Sequence, residues 1–353
     1  MLPESDYTRL RWEIGTGYDL FISLLVLHRP EQHGLRASWA AGVRSRLPAE
    51  ERETLETAIT LIYEPLPFVH TVPMPKDTQA VLDALERLPA GRRFETLSLP
   101  YSTPSIVRDV LLNTTSQRKW TATEKSIISN NFQNRDRLVT PTYLNLLYET
   151  WAHREEFGEK YLKALKSYAD AFFFEEEQRI LPVLRQGLSH AQMRAGSLQL
   201  PTMLEELSAG VRLPELDKAR RIYLAPSFWG APFLFWNRLD VDTLLIVFGA
   251  RPDNMALIPG EVIPDSLLLS LKALSDPTRL RILRTLVQSP QTAAQLSRLL
   301  RLRPPTVTHH LRELRLAGMV HVTVSPEGDR YYTTRYEGLE ATQDLLKRFI
   351  QGD

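Results

Sequence analysis

Thr306-Val307-Thr308-His309-His310-Leu311-Arg312-Glu313-Leu314-Arg315-Leu316-Ala317-Gly318 is the stretch whose pattern decides how this chain is organised. Val307, Leu311 and Leu314 recur at i, i+4 and i+7, so they form one apolar stripe on a helix over Thr306–Ala317. That spacing leaves Thr306, Thr308, His309, Arg312 and Arg315 on outer faces. Hydroxyl, imidazole and guanidinium groups can meet base edges in a major groove just wide enough for a helix. Gly318 supplies the stop. His310 lies beside the stripe and reads as a packing residue.

The flanking sequence completes a motif. Upstream, Ser275-Asp276-Pro277 is a capping side chain followed by proline at a first helical position. Leu280, Ile282, Leu283, Leu286 and Val287 follow as an apolar face, which Ser289-Pro290 ends. Thr292-Ala293-Ala294-Gln295 has the form of a capping box for a second helix that turns Leu296, Leu299 and Leu300 inward. Arg301-Leu302-Arg303 is a short connection to Pro304-Pro305 and the third helix. Downstream, Val320–Val324 and Arg330–Thr334 alternate as two strands around Ser325–Asp329, and Glu340–Ile350 closes the region as a helix. Helix, helix, tight turn, polar-faced helix and hairpin make a winged helix-turn-helix, whose wing can reach backbone phosphates.

Charge follows the same boundary. Ser270–Arg335 holds eleven Lys or Arg, ten of them Arg, against four Asp or Glu: a surplus of seven in a chain of net charge +1, so the remainder is acidic by six. Arginine suits bidentate contacts to phosphate and guanine. A basic segment beside an acidic body fits nucleic-acid binding, with a merely solvated basic face as the alternative. The 353 residues contain no cysteine, which removes disulfides, thiolate metal sites and cysteine nucleophiles together. No signal-peptide core follows the charged start, and the longest apolar run, Leu20–Leu27, is too short to span a bilayer. A cytoplasmic, nucleoid-associated protein without membrane contact is expected.

About the last 90 residues, roughly a quarter of the chain, resemble the ArsR-type family of bacterial transcription regulators. The resemblance is carried by Ala273-Leu-Ser-Asp-Pro-Thr-Arg-Leu-Arg-Ile-Leu283, by Thr306-Val-Thr-His-His-Leu311 and by Leu314-Arg-Leu-Ala-Gly-Met-Val320. It implies a homodimer on double-stranded DNA, with contacts from Thr306, Thr308 and His309. Members commonly place Gly where Arg301 stands and a capping Ser where Arg303 stands, so a strained or reshaped turn is expected here, with added positive charge. The family's metal sensors carry Cys or His ligands in stretches corresponding to Gln291–Leu302 and Glu340–Gln351. Neither contains Cys or His, so no metal and no other cofactor is expected.

The residues before 261 read as a helical region with a small sheet. Helices are expected at Tyr18–Leu27, Leu35–Arg46, Pro48 to about Tyr63, Asp77–Leu88, from Thr121 under a Thr121–Glu124 capping box, and from Thr142 to about Arg194 with a break near Pro182. Tyr7–Trp12 reads as a short strand joined by the Gly15-Thr16-Gly17 turn to the next helix, and Pro65–Pro75 as a loop. Glu175-Glu176-Glu177 reads as a solvated helix face rather than an acid/base pair. His153 and Glu156, at i,i+3 spacing that could bind a metal but without a patterned third ligand, read as a surface or packing pair. Ser227 lacks the Gly-x-Ser-x-Gly setting of a nucleophile elbow. Arg221–Ala225, Pro232–Trp236 and Thr243–Phe248 read as an antiparallel meander within about 219–250. Tyr223–Trp229 is similar to a pattern upstream of the same DNA-binding domain in other long regulators. Phe228, Trp229, Phe233, Phe235 and Trp236 lie within nine positions, as an apolar pocket for a small apolar or aromatic effector or as a sheet packed on helices.

The expected architecture is α+β and mainly helical: a large N-terminal helical domain (1–260) with a small antiparallel sheet, and a C-terminal winged helix-turn-helix (261–353). The expected function is a dimeric, sequence-specific DNA-binding regulator, a repressor answering a non-metal effector or partner. The expected DNA contacts are Arg301, Arg303, Thr306, Thr308, His309, Arg312, Arg315, Arg330 and Tyr331. The competing readings are an enzyme tethered to DNA, for which residues 1–260 show no catalytic constellation, and an architectural DNA protein without effector.

Overall fold

The computed structural model describes residues 8–62, 65–133, 139–213, 216, 218–260, 263–325 and 328–351. Three sequence expectations touch residues outside that set: the strand start at Tyr7, the helix end at Tyr63 and the turn residues Pro326 and Glu327.

Strand β1 (Leu10–Trp12) leads through the Gly15–Gly17 turn into α1 (Gly17–His28), and then come α2 (Ala37–Arg44), α3 (Ala49–Leu61) and α4 (Leu66–Thr71). The turn is tight because Gly15 and Gly17 back onto the Lys76 loop, where a Cβ on Gly15 would lie 2.5 Å from the Lys76 Cβ. Helix α4 corrects the expected proline loop: Pro65 and Pro67 sit at its start, where proline costs no hydrogen bond. Helices α5 (Thr78–Arg87), α6 (Ala90–Ser98), α7 (Ser105–Leu112), α8 (Ala122–Gln133), α9 (Pro141–Ala152) and α10 (Arg154–Tyr168) follow. Asp77 caps α5 by accepting from the Ala80 amide, and Thr121 and Glu124 exchange the two bonds of the expected capping box.

A π-helical turn, Ala169–Phe173, joins α10 to α11 (Phe174–Ala195). The expected break at Pro182 is absent, since Pro182 lies inside α11; the chain instead interrupts at His153 and widens into the π turn at Ala169–Phe173. Buried Phe172 and Phe173 lie on this π turn. Of the three glutamates only Glu175 is solvated. Glu176 is buried and accepts from the Trp229 indole N–H at 2.9 Å, and Glu177 accepts from the Thr16 hydroxyl and from the amide and hydroxyl of Thr78.

After α12 (Leu200–Leu207) and β2 (Val211–Arg212) come β3 (Arg221–Ser227), β4 (Leu234–Arg238) and β5 (Thr243–Gly249). They are not an antiparallel meander. The sheet order is β1-β3-β5-β4; β1 with β3 and β3 with β5 are parallel, and only β4 runs antiparallel on the outer edge of β5. The cause lies in β5, which is buried along six of its seven residues. A strand covered on both faces belongs between two neighbours, and its uninterrupted Leu244–Phe248 run is the mark of parallel pairing. One face carries Ala225, Leu245 and Val247 into the large helical core; the other carries Ile222, Leu224, Leu244, Ile246 and Phe248 onto Ala191, Ala195, Met203 and Leu204 of α11 and α12.

The C-terminal part begins with α13 (Asp265–Leu274), a helix absent from the sequence reading, and continues through α14 (Pro277–Leu286), α15 (Ala293–Leu300), α16 (Pro304–Leu316), β6 (Val320–Val324), β7 (Arg330–Thr334) and α17 (Tyr336–Gln351). Its core is Ile282, Leu283, Leu286, Leu296, Val307, Leu311, Leu314, Met319 and Val320. The fold is α+β and mainly helical, with a C-terminal helix-turn-helix.

Candidate nucleic-acid interface

Local chemistry sets each element of the motif. Asp276 accepts from the Arg279 amide at 2.9 Å, which caps α14 and holds its carboxyl below the usual range. Thr292 and Gln295 exchange both bonds of the capping box on α15. The helix then ends with Arg301 in the left-handed region, φ 54° and ψ 45°. The Leu302 amide bonds back to the Ser297 carbonyl at 3.0 Å and the Arg301 amide to Arg298 at 3.4 Å, the pair of bonds that usually surrounds a glycine. The expected departure at Arg301 is therefore a backbone conformation that costs an L-residue roughly 1–2 kcal/mol. Arg303 occupies the N-cap of α16 without any side-chain capping bond, and Pro304 and Pro305 supply its first turn.

Helix α16 turns Val307, Leu311 and Leu314 inward and leaves Thr306, Thr308 and His309 exposed, with Arg301 and Arg303 exposed at the turn before it. Arg312 is half-buried; its guanidinium donates to the His309 Nδ1 at 2.8 Å, which leaves the His309 Nε2–H as a donor. His310 is half-buried, its ring lowered in pKa by burial, consistent with packing. Arg330 and Tyr331 are exposed at the start of β7, the second strand of the wing.

Arg315 is the exception. It is 8% exposed, and its guanidinium donates to the carbonyls of Ser208 at 2.8 Å, Ala209 at 3.4 Å and Pro232 at 3.4 Å. Burial pushes its pKa down to about 10, with Arg335 adding repulsion. Arg315 is thus not on an outer face. Helical spacing put it outward; a neighbouring element, invisible to periodicity, covers it. Arg279 and Arg335 also turn inward, bonding the carbonyls of Ala273 and Lys272 and of Gly318. Lys272, Arg281, Arg284, Arg298, Arg301, Arg303 and Arg330 remain exposed, so the basic surplus is displayed chiefly from α14, the turn, α15 and the wing.

The wing is more than a hairpin. β6 pairs with β7 on one side and, in parallel, with β2 on the other, matching Val211 with Val322 and Arg212 with Thr323. Gln291 bridges to Tyr332 on the outer side of β7. His321 is 7% exposed, its Nδ1 2.9 Å from Glu205 of α12, and Glu205 holds Arg212 through two bonds of 2.7 and 2.8 Å. No local motif marks Glu205, Arg212 and His321; only the tertiary fold gathers them.

The five aromatics do not line one pocket. Phe228 and Trp229 are buried in the helical core, where Trp229 stacks on Trp39 at 6.2 Å and meets Phe172 edge-on. On β4, Phe235 packs toward that core and Trp236 toward the opposite face. Phe233 lies under Arg315, its ring 5.7 Å from the guanidinium carbon, and edge-on to His33. Strand alternation parts Phe235 from Trp236, so closeness in sequence did not become closeness in space. Ser227 is equally structural: its hydroxyl donates to Asp19 at 2.7 Å, and Asp19 also accepts from the amides of Trp229 and Phe228. Asp19 is fully buried, and burial pushes its carboxyl up to about 7 against those three bonds.

His153 and Glu156 do not combine. His153 is 3.9 Å from Glu149 and Glu156 is 2.9 Å from Lys160, along one rim of an open groove of about 830 Å³ that Arg92, Thr115 and Arg154 also line. Among the described residues no cluster of three His, Cys, Asp or Glu has the arrangement of a metal site, and no helix is long and apolar enough to cross a membrane.

Comparison with known proteins agrees with the geometry of the C-terminal part: residues 274–323 match the family model described as a helix-turn-helix domain. No curated protein and no solved structure shows significant similarity to the chain. A helix-turn-helix domain with this display supports DNA binding and a role in transcription regulation.

Proposed function

We propose that this protein is a sequence-specific regulator of the ArsR type, a cytoplasmic homodimer that represses transcription from double-stranded DNA and answers a non-metal effector through its N-terminal region. One observation carries the reading. Thr306, Thr308 and His309 are exposed together on the third helix of the motif, flanked by exposed Arg301 and Arg303 at one end and by Arg330 and Tyr331 on the wing. Polar groups on the helix suit base edges; cations around it suit phosphates.

Support for the dimer comes from α13 and α17, which pack on each other. Leu268 and Leu271 on α13 are 39% and 42% exposed, and Ile350 on α17 is 74% exposed. Packing against a second copy would cover them, and a two-fold dimer on DNA requires its two reading helices about one DNA turn apart. Support for regulation is the size of the N-terminal region, far beyond what a DNA-reading motif needs. The reading assigns no catalytic role, and Ser227, Glu176 and Glu177 are each held in hydrogen bonds within the fold.

Titrating a labelled duplex library across a salt series tests the proposal, with light scattering to count chains per duplex. Two chains per duplex and an affinity falling steeply with salt are expected, at about −0.9 in log–log slope per phosphate contact. A salt-independent or absent interaction refutes it.

A further inference from the structure

We propose that Arg315 is a positioning residue that clamps the reading helix to the N-terminal body, and that β2 belongs to the wing, so that body and reading head turn as one unit. This rests on the DNA-binding reading above and adds how the reading helix is held. Four observations converge on one seam.

The first is the burial of a guanidinium whose bonds run to carbonyls and not to a carboxylate. Ser208 and Ala209 follow directly on α12, and their carbonyls accept from Arg315 together with Pro232 of the loop before β4. The C-terminal end of a helix presents unpaired carbonyls and partial negative charge, which suit a cation. Phe233 offers its ring to the same guanidinium. Each of these partners belongs to the body. A buried cation stripped of such partners is costly, so Arg315 is at rest only while the body is docked.

The second is the shape of the turn. Ala209 has φ +50° and Gly210 φ +106°, a left-handed pair that follows α12 and leads into β2. A Cβ on Gly210 would lie 3.1 Å from the Val320 carbonyl, the His321 Nδ1 and the Arg335 Cδ, so the turn is pressed against β6 and its surroundings. The third is the ladder: the Val322 amide donates across the seam to the Gly210 carbonyl at 2.9 Å, continuing the wing sheet into β2. The fourth is the Glu205–His321 contact beside it, with Arg212 on the same carboxylate. A helix end, a strand and a loop of the body thus grip the last turn of the reading helix and the inner strand of the wing, while Thr306, Thr308 and His309 stay exposed.

The intact chain, without DNA, is the sample for the first arm. Hydrogen exchange is read in a peptide spanning residues 319–324, which contains the Val322 amide, and in a control from the α15 core around Leu296. In Arg315→Gln the seam peptide should exchange roughly tenfold faster or more, with the control within about twofold. Arg315→Lys, which keeps the charge at the helix end, should recover part of the protection. Phe233→Leu leaves α16 intact and should shift the seam the same way if Arg315→Gln folds poorly. In the second arm, Arg315→Gln should lower affinity for a selected duplex about fivefold or more while leaving the log–log salt slope unchanged, because no phosphate contact is lost. Unchanged seam exchange in both Arg315→Gln and Phe233→Leu overturns the clamp. So does a salt slope flattened by about 0.9, which would make Arg315 a phosphate ligand. If the wild type ignores DNA, the DNA-binding reading fails and the exchange arm still decides the clamp.

Discussion

Arg301 sets stability against binding at a single residue, and two substitutions there separate the terms. It holds φ 54° and ψ 45° at the end of α15, where glycine is the usual occupant. Its side chain is exposed, at the turn that opens the reading helix. Arg301→Gly relieves a left-handed strain of roughly 1–2 kcal/mol and gives back about 0.5–1 kcal/mol in the greater entropy of glycine in the unfolded chain. The net expectation is a gain of roughly 0.5–1 kcal/mol. Arg301→Ala keeps a Cβ in the same conformation and gains nothing from strain relief. Both lose one cation, so both should weaken binding to every duplex alike and flatten the log–log salt slope by about 0.9. Urea unfolding read by far-ultraviolet circular dichroism gives the first quantity; anisotropy of a labelled duplex across a salt series gives the second. The reasoning fails if Arg301→Gly unfolds at lower urea than Arg301→Ala, or if the salt slope holds in both.

Three further outcomes follow from the geometry. Asp19, raised to about 7 from 3.8, binds its proton more tightly folded than unfolded, so it should favour folding at acid pH and lose that advantage as pH rises from about 4 to about 7, by up to roughly 4 kcal/mol; Asp19→Asn should flatten the urea midpoint across that window, and a wild-type midpoint that rises steadily from pH 5 to 8 would contradict it. A Cβ on Gly338 would lie 2.1 Å from the Gly318 carbonyl, so Gly338→Ala should destabilise the C-terminal region by several kcal/mol, seen as early loss of its exchange protection. Zinc, cadmium or arsenite added to the DNA complex should not release the duplex, and stoichiometric metal binding with release would overturn that expectation.

The C-terminal region was largely legible because its information is local. Asp276-Pro277, the Thr292–Gln295 box, the Val307–Leu311–Leu314 stripe and the two alternating strands each decide a structure within a few residues. Helix α13 is masked in the sequence because Pro259, Gly260 and Pro264 have the composition of a linker, although Pro264-Asp265 is itself a helix start. What failed was long-range. Strand order depends on which edge of β5 each neighbour takes, and the uninterrupted Leu244–Phe248 run was the signal for a central parallel strand. Arg315 reads as a surface residue by period, and its cover comes from residues 208–209 and 232, about a hundred positions upstream in the first case. The aromatic cluster near Phe228 dispersed because strand alternation and a sheet with two covered faces send neighbours to opposite cores.

Selection from a random-sequence duplex pool tests most directly whether Thr306, Thr308 and His309 form the reading face. The intact chain and a Thr306→Ala/Thr308→Ala/His309→Ala variant are each taken through several rounds and the bound pools sequenced. The wild type should enrich a two-fold symmetric motif with half-sites about ten base pairs apart, while the variant should still bind in low salt through its phosphate contacts and enrich no motif. Enrichment of the same motif by the variant, or no motif with the wild type, would contradict the assignment.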